Sequence, residues 1–182
     1  MRAWFSLPNL FTLVRVLMAP IIVAAILKHR AFDALALLAV AASTDSIDGY
    51  LARHFHAATA SGAFLDPVAD KLLMGSVFLA LAVAGSVPWW LVAVIFARDI
   101  LILTASAVAL RLTRLRAFPP SVWGKASTFF QIMTAIFSLG RDAFGNPALA
   151  ATAAILVWPT AALTIWSGIH YGWAGIRRLR AV

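Results

Sequence analysis

Six long apolar stretches, at about residues 10–27, 32–52, 63–84, 88–110, 121–139 and 148–172, constrain this chain more than any other feature. A bilayer-spanning helix needs about 20 mostly apolar residues, and each stretch is close to that length. The breaks between them carry turn or charge signals: Lys28-His29-Arg30, Arg53 to Gly62, Gly85-Ser86-Val87-Pro88, Arg111 to Pro120 and Gly140 to Pro147. With 63% hydrophobic and 12% charged residues over 182 positions, the composition is far too apolar for a soluble domain. The expected fold is all-α and integral to the membrane, a six transmembrane helix bundle forming one domain over residues 1–182.

The basic residues orient such a bundle. Arg2, Arg53, Arg111, Arg114, Arg116, Arg177, Arg178 and Arg180 fall on one side, and Lys28, Arg30 and Arg141 on the other. The positive-inside bias then places both termini and the breaks after Arg53 and Arg111 in the cytoplasm. Trp89, Trp90 and Trp173 suit interfacial positions. The first eight residues, with Arg2, Trp4 and Phe5, read as a short N-terminal interfacial helix. No small-residue cleavage site follows Leu10, so the first span is expected to stay. The net charge of +8 fits anionic lipid better than nucleic acid. The absence of cysteine excludes disulfides, thiolate nucleophiles and sulfur-ligated zinc.

All seven acidic residues are aspartates, and four of them fall between Asp45 and Asp70. Asp45 and Asp48 share a helix face with Gly49 and Ala52 at the end of the second stretch, and Asp66 and Asp70 share one at the start of the third. Four carboxylates gathered near a bilayer repel one another and resist desolvation, and Arg53 with Lys71 cannot neutralise them. Two hard divalent cations, Mg2+ or Mn2+, solve that problem and suit displacement at phosphorus. Gly49 and Gly62, with small Ala52, remove side chains where a phosphate or a flat base would approach the helix backbone. The bland alternatives are a small-residue packing seam for a lone glycine and a solvated helix end for a lone aspartate. Four aspartates at regular spacing fit neither.

The pattern D-x2-D-G-x2-A-R-x8-G-x3-D-x3-D, present as Asp45, Asp48, Gly49, Ala52, Arg53, Gly62, Asp66 and Asp70, resembles the CDP-alcohol phosphatidyltransferase family. The likeness extends through Leu7-Pro8-Asn9-Leu10, Thr12 and Arg15, the run Phe64 to Lys71, and Arg98-Asp99. The resemblance implies a homodimeric six-helix bundle whose cytoplasmic cavity takes CDP-diacylglycerol and releases CMP. The absence of a targeting peptide fits a bacterial inner-membrane location. The resemblance assigns Asp45, Asp48, Asp66 and Asp70 to the metals and Asp70 to the base that deprotonates the acceptor hydroxyl. CDP contacts fall to Asn9, Thr12, Asp45, Gly49, Ala52, Arg53 and Gly62, and acceptor contacts to Arg98 and Lys125.

The stretch from Trp4 to Thr12, the Arg98-Asp99 pair and the run Trp123 to Thr128 resemble the branch that makes phosphatidylglycerophosphate or cardiolipin, which implies a glycerol-type acceptor. Typical phosphatidylglycerophosphate synthases carry a second arginine and a second lysine where this chain has Ser106 and Ser127. A glycerol 3-phosphate dianion profits from several basic partners. Their loss, with Ser127-Thr128, Gln131 and His170-Tyr171-Gly172, favours phosphatidylglycerol as acceptor, hence cardiolipin formation, over phosphatidylglycerophosphate formation. A direct Arg98–Asp99 pairing is not expected, since adjacent helical residues do not face each other, and Arg98 is expected to face a polar cavity. His170 reads more readily as a packing or hydrogen-bonded residue than as a catalytic one. An ion or solute transporter is the remote alternative, but a pathway needs polar groups at several depths, whereas these aspartates gather at one level.

Overall fold

The computed structural model describes residues 7–55, 62–112 and 121–179, with side chains described over 14–43, 69–104 and 121–173. Within these segments the chain is all-helical: α1 Leu7–Leu27, α2 Ala31–Phe55, α3 Gly62–Val83, α4 Trp89–Leu112, α5 Val122–Phe144 and α6 Pro147–Leu179. The six apolar stretches thus become six helices. Residues 1–6, most of the expected interfacial helix, lie outside the described residues, while Leu7 and Pro8 already open α1. Proline is tolerated there because a first-turn N–H has no intrahelical partner.

The tight connections lie at one end. After α1, His29 adopts a left-handed φ of 56°, and the Arg30 N–H donates to Ala25 O at 2.9 Å. After α3, Gly85 at φ 77° lets the Ser86 N–H reach Leu81 O at 2.7 Å, the kind of αL closure that glycine permits at a helix C-terminus. The break expected at Gly140 comes later. Gly140 is a buried residue inside α5, and the helix stops at Gly145 with φ 61°, whose N–H donates to Arg141 O. Asn146 Oδ1 then accepts the Ala148 N–H at 2.8 Å and starts α6.

Helix α1 packs against both α2 and α3, α5 against α2, α3 and α6, and α4 against α3 and α6. The apolar core joins Ile22, Leu38, Phe78, Leu81, Leu91 and Leu139, each fully buried. The outer faces are also apolar: Leu17, Ile21, Leu72, Ile100, Ile155, Trp158 and Ile169 are all more than half exposed. Polar residues instead fill the α5–α6 contact, where Ser127, Thr134, Ser138, Thr160, Thr164 and Ser167 have at most 1% exposure. Small hydroxyl residues let helices approach closely and bond across the gap. Among the described residues, Pro147–Trp173 is the one segment both long and apolar enough to cross a membrane, with Val14–Leu27 and Ala31–Ser43 as shorter apolar helices.

Candidate active site

The motif residues sit on helices, as their spacing requires. Asp45, Asp48, Gly49, Ala52 and Arg53 belong to the last turns of α2, and Gly62 and Asp66 to the first turns of α3. Asn9 and Thr12 belong to α1. The side chains of all these residues, and the Ser106 side chain, lie outside the described set.

Asp70 is described, and it is held from α1. Arg15 Nη1 donates to Asp70 Oδ1 at 3.0 Å, from a side chain only 6% exposed to a carboxylate that is 49% exposed. A buried arginine on a partly open aspartate fixes the direction of the carboxylate while leaving oxygen surface accessible. The next residue turns the other way: Lys71 Nζ donates to Asp99 Oδ1 on α4. Asp70 and Lys71 therefore tie α3 to two different neighbours at one level.

Asp99 also accepts from Arg98 Nη1, at 2.8 Å on the same oxygen. This corrects the expectation that the adjacent pair would not meet. The rule against contact between neighbouring helical residues concerns their Cβ directions, and the long arginine side chain folds back over its own helix to reach the shorter aspartate. Arg98 Nη2 goes on to Ser167 Oγ at 3.0 Å on α6. Arg98 is only 9% exposed, so it lies among packed helices rather than along an open wall.

Glycine and tyrosine shape the space around the guanidinium. A Cβ at Gly124 would lie 3.3 Å from Arg98 Nη2, Ser121 Oγ and a Tyr171 ring carbon, and one at Gly168 would lie 3.5 Å from Arg98 Cγ. The Tyr171 ring centroid is 6.0 Å from the guanidinium carbon, within cation–π range. Its hydroxyl accepts the Ser121 N–H at 2.8 Å, and Ser121 Oγ in turn caps α5 by accepting the Gly124 N–H at 3.0 Å. Tyr171 thereby pins the start of α5, where the exposed Lys125 lies one residue beyond Gly124.

His170 takes the packing alternative of its expected role. Its Nδ1 is buried without a hydrogen-bond partner among the described residues, and its ring packs edge-on against Tyr171 at 6.4 Å. Sequence reasoning did not find the Arg15–Asp70 and Lys71–Asp99 pairs. The signal available was a charged residue inside an apolar stretch in each case, which demands a partner without naming it.

A protein-family model described as CDP-alcohol phosphatidyltransferase matches residues 5–166. The chain belongs to the CDP-alcohol phosphatidyltransferase family. It is similar to the probable phosphatidylglycerophosphate synthase of Mycobacterium tuberculosis, 35% identical over 173 residues that cover 91% of this chain and 79% of the relative. It is also similar to the CDP-diacylglycerol--glycerol-3-phosphate 3-phosphatidyltransferase of Escherichia coli K12, 33% identical over 92% of this chain and 93% of the relative. A shorter match joins it to the probable CMP-forming cardiolipin synthase of Drosophila melanogaster, 38% identical over 57% of this chain and 32% of that protein. This phosphatidyltransferase is thus an enzyme that moves a phosphatidyl group in phospholipid synthesis.

Proposed function

We propose that the enzyme transfers the phosphatidyl group of CDP-diacylglycerol to a glycerol hydroxyl of phosphatidylglycerol, forming cardiolipin and releasing CMP. The acceptor oxygen bonds to the phosphatidyl phosphorus, the bond from that phosphorus to the CMP oxygen breaks, and the hydroxyl proton passes to Asp70. Arg15 orients the Asp70 carboxylate for this step.

Asp45, Asp48, Asp66 and Asp70 would hold two divalent ions, Mg2+ or Mn2+. The donor set fits: it is all hard carboxylate oxygen, spaced three and four residues apart on helices. When bound, such ions polarise the pyrophosphate and stabilise the leaving phosphate oxygen. Asn9, Thr12, Gly49, Ala52, Arg53 and Gly62 would receive the CDP portion, and Arg98 and Lys125 the acceptor.

The acceptor choice is carried by Ser127. Where a second lysine would serve a glycerol 3-phosphate dianion, Ser127 is fully buried and bonded to Thr164 Oγ1 at 3.0 Å and Gln131 Nε2 at 3.3 Å. That position is committed to joining α5 with α6. The second reading is glycerol 3-phosphate as acceptor. It is favoured by the relatives from Mycobacterium tuberculosis, Rickettsia felis and Escherichia coli, whose matches cover more than nine-tenths of this chain.

The apolar exterior, the polar interior contact, the exposed Trp89 and Trp90 at the start of α4 and the exposed Trp173 in the later part of α6 support a six-span arrangement in a bacterial inner membrane, with both termini and the active site facing the cytoplasm. A single domain over 1–182 and a homodimer complete this reading. The test is a labelled-product assay with purified protein, CDP-diacylglycerol and Mg2+ or Mn2+, offering phosphatidylglycerol and glycerol 3-phosphate separately. Cardiolipin from the first reaction supports the proposal. Phosphatidylglycerophosphate from the second, with no cardiolipin, replaces it by the second reading.

A further inference from the structure

Three charged side chains from α3 and α4 meet on one oxygen. Lys71 Nζ and Arg98 Nη1 both donate to Asp99 Oδ1, so two cations share one carboxylate and the group carries one net positive charge. Arg98 Nε is buried and without a hydrogen-bond partner among the described residues, on a side chain that is 9% exposed. Arg98 has spent Nη1 on Asp99 and Nη2 on Ser167. A buried surplus charge with a spare donor is costly unless an anion completes it.

Lys71 and Asp99 keep 28% and 21% exposure, so the group is reachable from outside. It also begins at the residue after Asp70. From this geometry we infer that Lys71, Arg98 and Asp99 form the site for the phosphate group of the acceptor, with Lys71 and Arg98 as binding residues and Asp99 as the positioning residue that holds both cations.

The inference rests on the proposed reaction and extends it, because neither Lys71 nor Asp99 follows from the acceptor residues Arg98 and Lys125. One net positive charge matches the single negative charge of a phosphodiester, the group that phosphatidylglycerol carries. A phosphate monoester, as in glycerol 3-phosphate, would bring a second negative charge and would need Lys125 as well to balance it. The arrangement also accounts for the glycine at 124. A Cβ there would sit 3.3 Å from Arg98 Nη2 and from a Tyr171 ring carbon, so both would have to yield by a few tenths of an ångström.

The experiment uses the full-length protein in detergent micelles, with Lys71→Gln, Lys71→Arg and Asp99→Asn compared with the unaltered enzyme. KM for the acceptor is measured at saturating CDP-diacylglycerol, and KM for CDP-diacylglycerol at saturating acceptor. Losing one charge-assisted contact should raise the acceptor KM about tenfold in Lys71→Gln while leaving the CDP-diacylglycerol KM within about twofold. Lys71→Arg should restore most of the acceptor affinity.

Asp99→Asn separates positioning from charge. Positioning predicts a higher acceptor KM, whereas a site acting by net charge alone would bind its anion more tightly once the aspartate is neutralised. An unchanged acceptor KM in Lys71→Gln, or a lowered one in Asp99→Asn, overturns the inference. So does a parallel rise of both KM values with a lowered melting temperature. If the unaltered enzyme uses glycerol 3-phosphate in place of phosphatidylglycerol, the acceptor reading fails by itself, and the same variants measured with glycerol 3-phosphate still decide whether this group binds the acceptor phosphate.

Discussion

Two polar clusters are buried between these helices, and they differ in how completely they satisfy themselves. In the α5–α6 contact, the Thr134 and Thr160 hydroxyls lie 2.7 Å apart and both are within hydrogen-bond distance of Phe130 O, so one hydroxyl donates to the other and the second donates to the carbonyl. Gln131 bridges Ser127 and Thr164 in the same contact. This cluster is neutral and closes on itself. The Lys71–Asp99–Arg98 group is charged, unequal in sign and left with a buried donor. Hydrogen-bonded hydroxyls join helices, whereas an unbalanced ionic group inside a bundle keeps capacity for a ligand.

The difference can be broken by substitution, and the largest effect belongs to the charged level. Asp70→Asn should lower kcat about a thousandfold, the scale of losing a positioned base, with the helical circular dichroism spectrum unchanged. Full turnover in this variant would remove Asp70 from the chemistry. Arg98→Gln comes next. It withdraws the guanidinium that Asp99, Ser167 and Tyr171 surround, and the acceptor KM should rise roughly thirtyfold.

The neutral cluster should answer in stability instead. Thr160→Val removes the Thr134 contact and should cost about 0.6 kcal/mol, a typical value for an interhelical hydrogen bond in a membrane protein, with both KM values unchanged. A loss of acceptor affinity there would show that the two clusters are not separate in function. The smallest effect is expected at the opposite end. Arg141 donates to Ser86 O at 3.2 Å and pairs with Asp142 beside a cleft of about 350 Å³ lined by Ile26, His29 and Gly85 among others. Arg141→Gln should change stability by less than about 0.5 kcal/mol, measured as a thermal shift, and leave turnover intact.

Much of this architecture can be read from the chain alone. Six apolar stretches became six helices, and among the described connections those after α1, α3 and α5 close for a local reason, the positive φ of His29, Gly85 and Gly145. The boundary at Gly140 was misplaced because a glycine packed inside a helix and one in the left-handed conformation look alike in sequence. Gly145 is the one that ends α5.

The motif identified the family because its carboxylates lie within one stretch of chain, at spacings that a helix converts directly into geometry. The ion pairs were not legible in the same way. Arg15 and Asp70 are 55 residues apart, and Lys71 and Asp99 are 28 apart, so only packing brings them together. The Arg98–Asp99 contact escaped for the opposite reason: proximity in sequence suggested side chains diverging from the helix, and the length of arginine overrode that divergence.

The dependence of CMP release on divalent metal tests the central claim most directly. Purified enzyme dialysed against a chelator, then supplied with CDP-diacylglycerol and phosphatidylglycerol, should release no CMP until Mg2+ or Mn2+ is restored. In Asp48→Asn, added metal should fail to restore release at any concentration. CMP release that persists in the chelated enzyme, or full recovery in Asp48→Asn, would contradict the two-metal phosphatidyl transfer proposed for this chain.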